Sequence, residues 1–331
     1  MKKHTGFALI IFIGIATTSA FCLPQAGSSG AGSPASGGQA TIAQPDKLTP
    51  QHNSLPVKEG AILGEKENLR ESLNKQEVES YLTFLPSTRT KDENSHIQII
   101  ESEFDYSYEY KLFEKIPVTF SLTSEYIDIK ENSSLDLPSH LIGLSTGVDV
   151  VLPFFNLDKT YINLGVSPSI YRDDWRFETS SFRMPVNTFL IYKPDEKWVF
   201  VGGLAFLPDY KDKFFPVAGF VYKPDEKWVF NITTDDPSIA YSPNDKLTIF
   251  TQMELPLGAE FEVKQGNNKN VVLIYNDMRV GLGVGYKINK FVSVTLAGGG
   301  VFDRYIRYRD VDGKLSIKNG GYAEFSVDIQ I

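Results

Sequence analysis

Large apolar residues alternate with small or polar residues from Ile97 to Ile331, and this pattern constrains the fold more than any other feature of the sequence. The segment from Phe104 to Leu112 is a clear example, because every second residue is aromatic or aliphatic and the residues between them are Asp, Ser, Glu and Lys. A period of two places successive side chains on opposite faces of a β-strand. Helical periodicity does not interrupt the series, so the sequence predicts an all-β domain over residues 97–331.

The two faces of these strands differ in a way that favours a membrane β-barrel over a soluble β-sandwich. In the segment MRVGLGVG, which begins at Met278, the second face consists of arginine and glycine, and elsewhere it carries Ser, Thr, Asn and acidic residues. A solvated face of a soluble protein usually carries Lys and Glu instead. Small residues fit the crowded lumen of a narrow barrel whose outer face is apolar.

Turns separate the strands in a regular order. Short turns rich in Lys, Asp, Asn and Pro occur at 193–197 and 223–227, for example, and longer polar connections such as 130–139 and 173–183 lie between the strands elsewhere. Short turns at one end and longer loops at the other are typical of an up-and-down barrel. The sequence therefore predicts an antiparallel up-and-down β-barrel of roughly 12 strands, within a range of about 10–14.

The N-terminus predicts export from the cytoplasm. Lys2 and Lys3 precede an apolar run that ends at Ala16, and Ala20 completes a site of small residues suited to cleavage. We therefore expect residues 1–20 to be a signal peptide, because the apolar run is too short to cross a bilayer, which takes about 20 residues. An exported barrel implies the outer membrane of a Gram-negative bacterium, with the periplasm as the alternative location.

Residues 21–96 have the composition of a linker. Gly, Ser, Ala and Pro dominate the stretch from 27 to 40, and residues 65–82 carry only a weak helical pattern that would form at most a short helix. Cys22 is the only cysteine, which excludes an intramolecular disulfide. Lipidation of Cys22 is the weaker interpretation, because Phe21 stands where lipoprotein signals carry a small residue.

The nonapeptide YKPDEKWVF occurs twice, and degenerate copies of it begin at Tyr241 and Tyr286. In each copy Tyr ends one strand, Pro-Asp-Glu turns the chain and Trp begins the next strand, so both copies predict hairpin corners at the same end of the barrel. Aromatic rings at one height are typical of the girdle at a membrane interface, whereas cross-strand packing in a soluble sheet is the alternative. The predicted membrane-interface aromatics are Tyr192, Trp198, Tyr222 and Trp228.

The stretches INLGVSPSIYRDDW, YKPDEKWVFVGGLAF and MRVGLGVGYKINKFVSVTLAGGG resemble an uncharacterised bacterial family, a domain of unknown function in outer-membrane β-barrel proteins. The resemblance covers about Ile97 to Ile331, and it implies an outer-membrane location and no assigned activity. The partners expected for such a barrel are outer-membrane lipid and, during biogenesis, the barrel assembly machinery. The sequence leaves the oligomeric state open.

Two groups of charged residues are candidates for function. The first would line the lumen, where acidic side chains favour cations over anions unless they pair with Arg279 and Lys111 in a closed interior. The second alternates with tyrosines and could contact lipid phosphates, although a solvated hairpin is the simpler interpretation. The lumen candidates are Glu103, Asp105, Glu109, Glu125, Asp149 and Arg279. The candidates for lipid phosphates are Arg304, Arg307 and Arg309.

Other activities find little support in the sequence. The net charge of -8 argues against nucleic-acid binding. The spacing of His, Cys and carboxylate residues does not indicate a site for a metal or a cofactor. A lipid hydrolase would need serine and histidine together, and His140 in SHLIGLS does not resemble a catalytic arrangement. We therefore expect a non-enzymatic outer-membrane barrel, either a structural element or a narrow pore with an acidic lumen. The first alternative is a soluble or lipid-tethered periplasmic β-sandwich that binds a partner or ligand, and the second is a membrane hydrolase.

Overall fold

The computed structural model describes residues 74–331 except 92–93, 114–115, 133–136, 156, 176–180, 208–212, 235, 256–258, 266–267 and 310–313. The expected signal peptide (1–20), Cys22 and the linker as far as residue 73 lie outside the described residues. The chain forms β-segments in the following order. They are β1 (Asn74–Arg89), β2 (His96–Leu112), β3 (Ile116–Glu131), β4 (His140–Pro153), β5 (Thr160–Val166), β6 (Ser169–Arg172), β7 (Phe182–Arg183), β8 (Val186–Tyr192), β9 (Trp198–Phe206), β10 (Phe214–Tyr222), β11 (Trp228–Thr233), β12 (Ser238–Asn244), β13 (Leu247–Glu254), β14 (Ala259–Gln265), β15 (Asn268–Lys287), β16 (Val292–Tyr308), β17 (Leu315–Ser316) and β18 (Gly320–Gln330).

These segments join one sheet that closes on itself. β1 pairs with β2 along one edge and with β18 along the other, so the first and last strands of the barrel meet. Four strands of the ring consist of two consecutive segments each (β5–β6, β7–β8, β13–β14 and β17–β18), which gives 14 strands. The predicted antiparallel all-β barrel is confirmed, with a strand number at the upper end of the expected range. A single closed sheet also excludes the β-sandwich alternative.

The inner face of the barrel combines buried charged residues with apolar clusters, whereas the outer face is apolar. Charged residues of the inner face such as Glu101 and Arg279 are 0 % exposed, whereas Leu282 and Leu296 on the outer face are 68 % and 64 % exposed. In water a protein gains stability by burying its apolar side chains, so this inverted distribution is the one expected of a barrel surrounded by lipid. Within the described residues, no helix is long and apolar enough to cross a membrane.

The barrel begins earlier than the sequence indicated. β1 pairs with β2 in register from Asn74↔Tyr110 onward, so the expected short helix at 65–82 is wrong for residues 74–82, and the barrel does not start at 97. Glu79 faces the polar interior and Ser80 interrupts the apolar outer series, which weakens the alternation. The polar inner face of such a strand is easily taken for the polar face of a helix.

The two ends of the barrel differ. Short turns follow β2, β4, β8, β10, β12 and β15 at one end, the turn end. The start of β1 and the end of β18 lie there too, because the amide of Gln76 donates to the carbonyl of Ile331 at 3.1 Å. The connections after β1, β3, β6, β9, β11, β14 and β16 lie at the opposite end, the loop end. This is the arrangement of an up-and-down barrel.

If the outer face contacts lipid, Leu282→Arg should destabilise the barrel by about 2–4 kcal/mol, because an arginine near the bilayer midplane loses its hydration. Urea unfolding of the protein refolded into lipid vesicles would measure the change. Ile288→Arg, in the turn after β15, is the matched control and should cost less than about 1 kcal/mol. Equal, small costs at both positions would contradict a lipid-facing outer surface.

Candidate functional site in the barrel interior

Arg279 lies at the centre of a buried ionic network. Its Nη2 donates to Glu101 Oε1 at 2.7 Å and lies 3.1 Å from Asp277 Oδ2, and its Nε lies 3.7 Å from Glu254 Oε2. The side chains of all three ion pairs are 0 % exposed. Arg279 is on β15 and Glu101 is on β2, which are separated in the ring by β16, β18 and β1, so the network crosses the lumen.

Two tyrosines extend this network. The hydroxyl of Tyr275 donates to Asp277 Oδ2 at 2.5 Å and lies 3.4 Å from Glu101 Oε1. The guanidinium carbon of Arg279 lies 5.9 Å from the ring centre of Tyr322. Removing such groups from water costs several kcal/mol per ion, and the attraction between the partners offsets that cost only while both partners are present. The network is therefore sensitive to the loss of its central cation.

The predicted lumen acids lie on β2, β3 and β4, between the Arg279 network and the turn end. Glu125 and Asp149 are buried, whereas Glu103, Asp105 and Glu109 are half-buried. Glu103 is the direct cross-strand partner of Glu125, and Thr123 Oγ1 donates to Asp105 Oδ1 at 2.5 Å. The structure thus brings these acids together on one wall of the interior.

The interior around these acids is crowded. A Cβ on Gly143 would lie 2.7 Å from the ring of Tyr171 and 2.9 Å from Glu125 Oε2, so only glycine fits between them. Small residues at inner positions therefore make room for the charged and aromatic side chains of neighbouring strands.

Glu101, Glu254 and Asp277 were missed by the sequence reasoning, although the alternation contains a signal for two of them. Glu101 precedes Glu103 by two residues and Asp277 precedes Arg279 by two, so each shares the inner face with a predicted lumen residue. Glu254 ends β13, and no sequence pattern indicates that β13 and β2 both reach the same arginine.

The expectation that three arginines contact lipid phosphates is wrong for Arg304, which is 1 % exposed and faces the interior. A β-bulge is the cause, because the register shifts between Asn276 and Met278 and places Asp303 at φ 44°. This extra residue reverses the faces of β16 beyond it. Arg309 forms an ion pair with Glu260. The guanidinium carbon of Arg307 lies 5.8 Å from the ring centre of Tyr305.

The repeated corners at the turn end share one construction. Asp195 Oδ1 accepts hydrogen bonds from the backbone amides two and three residues later at 2.8 and 3.0 Å, and Asp225 repeats this at the same distances. Asn244 and Asn289 do the same in the degenerate copies. In all four copies the capping residue follows the tyrosine by three, so Tyr-x-x-Asp/Asn builds this turn.

The aromatic residues of these corners stack across neighbouring strands on the outer face. The rings of Trp198 and Tyr222 lie 4.2 Å apart, and those of Trp228 and Tyr241 lie 4.6 Å apart. Tyr192 stacks on Phe200 at 6.3 Å. All of them keep part of their surface exposed. Cross-strand packing therefore accounts for their pairing, and their exposure leaves them free to meet lipid as well.

The interior narrows at the loop end. β14 pairs with β6 on the opposite wall through Glu262↔Arg172, the one parallel pair among the described strands. This contact joins β1–β4, β6 and β14–β18 into a smaller closed ring, the loop-end ring, which bypasses β5 and β7–β13. The inside of a small ring has room only for side chains.

A buried apolar cluster, the apolar plug, fills the loop-end ring. Every strand of that ring contributes at least one member, so side chains from both walls pack together inside the ring. The members are Leu85, Ile97, Ile99, Ile127, Ile129, Leu137, Leu141, Tyr171, Phe261, Val263, Leu273, Tyr275, Val301, Ile306, Tyr308, Leu315, Ile317 and Tyr322.

Two further groups could carry chemistry. Carboxylate oxygens of Glu77, Glu79 and Asp328 lie within 4.8 Å of one another near the turn end and could hold a cation, although Asp328 is far from the other two in the sequence. Ser139 Oγ lies 3.1 Å from His140 Nδ1, but among the described residues no carboxylate hydrogen-bonds to His140. The third member of a catalytic triad is therefore missing from the described contacts.

One titratable group of the turn end has a shifted pKa. Partial burial and the neighbouring charge of Lys223 lower the pKa of Lys193, while Glu196 opposes the shift. The two lysines occupy equivalent positions in the two identical corners, so the smaller cause, the repulsion between Lys193 and Lys223, reflects how closely the corners lie side by side.

Comparison with known proteins places residues 111–329 in a family described as a domain of unknown function (DUF6268), which confirms the resemblance to such a family. No curated protein matches the chain. Among solved structures it is similar to an outer-membrane channel from Pseudomonas putida F1, with 7% identity and a TM-score of 0.45 over 78% of this chain and 96% of that one. The Pseudomonas putida toluene transporter TodX is similar at 9% identity and a TM-score of 0.40, over 82% and 93% of the two chains. The NanC porin is similar at 9% identity and a TM-score of 0.38, over 77% of this chain and 100% of the porin chain.

Asp225→Ala should destabilise the barrel by about 1–3 kcal/mol, because two backbone amides lose a charged acceptor. Asp225→Asn is the matched control, since an amide oxygen serves this role in the corners at Asn244 and Asn289, and it should change the stability by less than about 1 kcal/mol. The urea midpoint in detergent micelles measures both. Equal losses in the two variants would show that the turn does not depend on this acceptor.

Arg279→Met should lower the free energy of unfolding by about 3–5 kcal/mol, because three carboxylates would surround an apolar side chain. Chemical unfolding in micelles measures this loss. Lys111→Met removes an exposed lysine at the end of β2 and should cost less than about 1 kcal/mol. A loss at Arg279 no larger than that at Lys111 would contradict the ionic network.

Proposed function

The chain belongs to the family described as a domain of unknown function (DUF6268), and we propose from its geometry that it is an outer-membrane β-barrel forming a narrow, cation-preferring pore that is closed in this conformation. The observation that carries the proposal is the acidic inner wall of a closed barrel whose outer face is apolar. In this proposal residues 1–20 are the cleaved signal peptide, and the barrel assembly machinery inserts the chain into the outer membrane.

The outer face supports a position in the membrane. Large apolar side chains cover it along most strands, and the aromatic corners form a band just inside the turn end. Amphipathic rings prefer the membrane–water interface. In this proposal Tyr192, Trp198, Tyr222 and Trp228 lie at the periplasmic interface, and the turn end faces the periplasm because short turns do so in bacterial barrels.

The inner face supports a preference for cations. Acidic side chains on the described inner face outnumber basic ones. The acidic residues are Glu77, Glu79, Glu101, Glu103, Asp105, Glu109, Glu125, Glu131, Asp149, Glu254, Asp277, Glu324 and Asp328, and the basic ones are Lys75, Lys111, Arg183, Arg279, Lys287 and Arg304. A surplus of negative charge in a medium of low dielectric attracts cations and repels anions over several ångströms.

Two features close the interior in this conformation. The apolar plug fills the loop-end ring, and the Arg279 network crosses the lumen nearer the turn end. A filled interior also favours a second candidate function, a structural barrel that never conducts. The two candidates differ in one respect, which is whether ions pass under any condition.

Single-channel recording in planar bilayers separates these candidates. For a pore we expect brief openings with a reversal potential that indicates cation preference under a salt gradient. Replacing the cross-strand acids in a Glu103→Gln/Glu125→Gln variant should lower the cation-to-anion permeability ratio about threefold or more, because the acidic wall loses charge at its centre.

Lys111→Gln is the matched control for this measurement, since it alters one charge at the turn end and leaves the acidic wall intact. It should keep the cation preference or raise it slightly. Anion preference in the unaltered protein would contradict the proposal. A folded, membrane-inserted protein without any conductance would favour the structural barrel instead.

A further inference from the structure

The hairpin made by β14 and the part of β15 that pairs with it, Asn268–Tyr275, differs from the rest of the wall. We call it the lid hairpin. β14 pairs with β15 along most of its length, but its other edge meets the opposite wall through the single pair Glu262↔Arg172. By contrast, β2 and β3 pair over their full length from Ile97 to Leu112. The contact between β14 and β6 is therefore the weakest link of the loop-end ring.

Ionic contacts surround this link. Lys264 forms an ion pair with Asp174, and its backbone amide donates to Asp173 Oδ2 at 2.9 Å. Arg172 Nε lies 3.2 Å from Asp174 Oδ1. We call these residues of β6, its following loop and β14 the latch. The latch carboxylate of Asp174 is 25% exposed and Lys264 is 30% exposed, so solvent and salt weaken their attraction.

The inner face of the lid hairpin belongs to the apolar plug. Phe261 packs edge-on against Tyr171 of β6 with ring centres 5.6 Å apart, and Val263 and Leu273 are also fully buried in the plug. Moving β14 away from β6 would therefore withdraw large apolar side chains from the centre of the loop-end ring. A narrow apolar passage excludes water, and widening it restores hydration and ion flow.

We propose that the lid hairpin is a salt-sensitive gate, which opens by separating β14 from β6 and closes through the latch and the contact between Phe261 and Tyr171. This inference rests on the proposed function as a pore and adds its regulation. The gate moves β14 and the start of β15 together with the end of β16, to which β15 stays paired through Leu273↔Tyr308, while β1–β4 keep their pairing. Higher ionic strength favours the open state because it screens the latch.

A reversible covalent tether tests the gate directly. Adjacent strands lie about 4.8 Å apart, a distance that suits a disulfide, so Arg172→Cys/Glu262→Cys can join β14 to β6. Cys22→Ser in the background removes the only other thiol. We expect no openings from the oxidised protein at any salt concentration, and openings after reduction. The control tether Ser124→Cys/Leu144→Cys joins a β3–β4 pair and should leave conductance unchanged in both states.

The latch is tested without cysteines by Lys264→Gln and Asp174→Asn. Each variant should raise the open fraction about fivefold or more at low salt, and the double variant should add little beyond Asp174→Asn, because Asp174→Asn already removes the ionic partner of Lys264. High salt should raise the open fraction of the unaltered protein toward that of the two variants. Equal open fractions in the unaltered protein and both variants, or a tether that does not block openings, would overturn the gate.

Hydrogen exchange keeps this test separate from the proposed function. If β14 separates from β6 as proposed, the backbone amides of Phe261 and Val263 should exchange faster in Lys264→Gln than in the unaltered protein. The exchange rates of Phe120 and Leu122 on β3 should not change. If no protein conducts but exchange behaves in this way, the pore proposal fails and the moving lid stands. If the protein conducts but exchange and tether have no effect, the pore stands and the gate fails.

Discussion

Closure of the sheet between β1 and β18 is the constraint on which the rest of this structure depends. A strand in an apolar surrounding has no water to satisfy its amides and carbonyls, so each must find a partner in a neighbouring strand. The eight residue pairs between Glu77↔Gln330 and Phe84↔Ala323 provide those partners where the sheet would otherwise have two edges. Once the ring is closed, alternate side chains can only point into the lumen or outward.

The contents of the lumen follow from this division. Acidic residues and arginines occupy the middle and the turn end, where Arg279 holds three carboxylates together across the space. Apolar residues occupy the loop end, where β14 reaches β6 and the ring becomes smaller, and a second apolar cluster lines the inner face of β8, β9 and β10. The two kinds of closure respond to different conditions, because ionic contacts weaken with salt and apolar contacts do not. In the proposed pore, the interior is closed in this conformation and opens when the contact between β14 and β6 is lost.

The sequence predicts the fold well because both parts of the signal are local. Alternation assigns faces, and the Tyr-x-x-Asp/Asn corners mark the turns, so Tyr192 and Tyr222 fall where they were expected. Glu79 and Ser80 blur the alternation of β1, which hides that strand. The bulge at Asp303 adds one residue and moves Arg304 from the outer to the inner face, and no residue pattern around it announces the shift.

The interior network lies beyond such local signals. Glu101 and Arg279 are far apart in sequence, and the strands that carry them meet only through the curvature of the ring. The same holds for β14 and β6, which pair although β7–β13 lie between them in the sequence.

The central claim is that the apolar outer face of this closed barrel is embedded in the outer membrane. Fractionation of the producing cells, followed by gel electrophoresis of the membrane protein with and without boiling, tests it most directly. The account predicts that the full chain sediments with the outer membrane and that the unboiled sample migrates differently from the boiled one. Recovery in the soluble periplasm, with the same mobility before and after boiling, would contradict it.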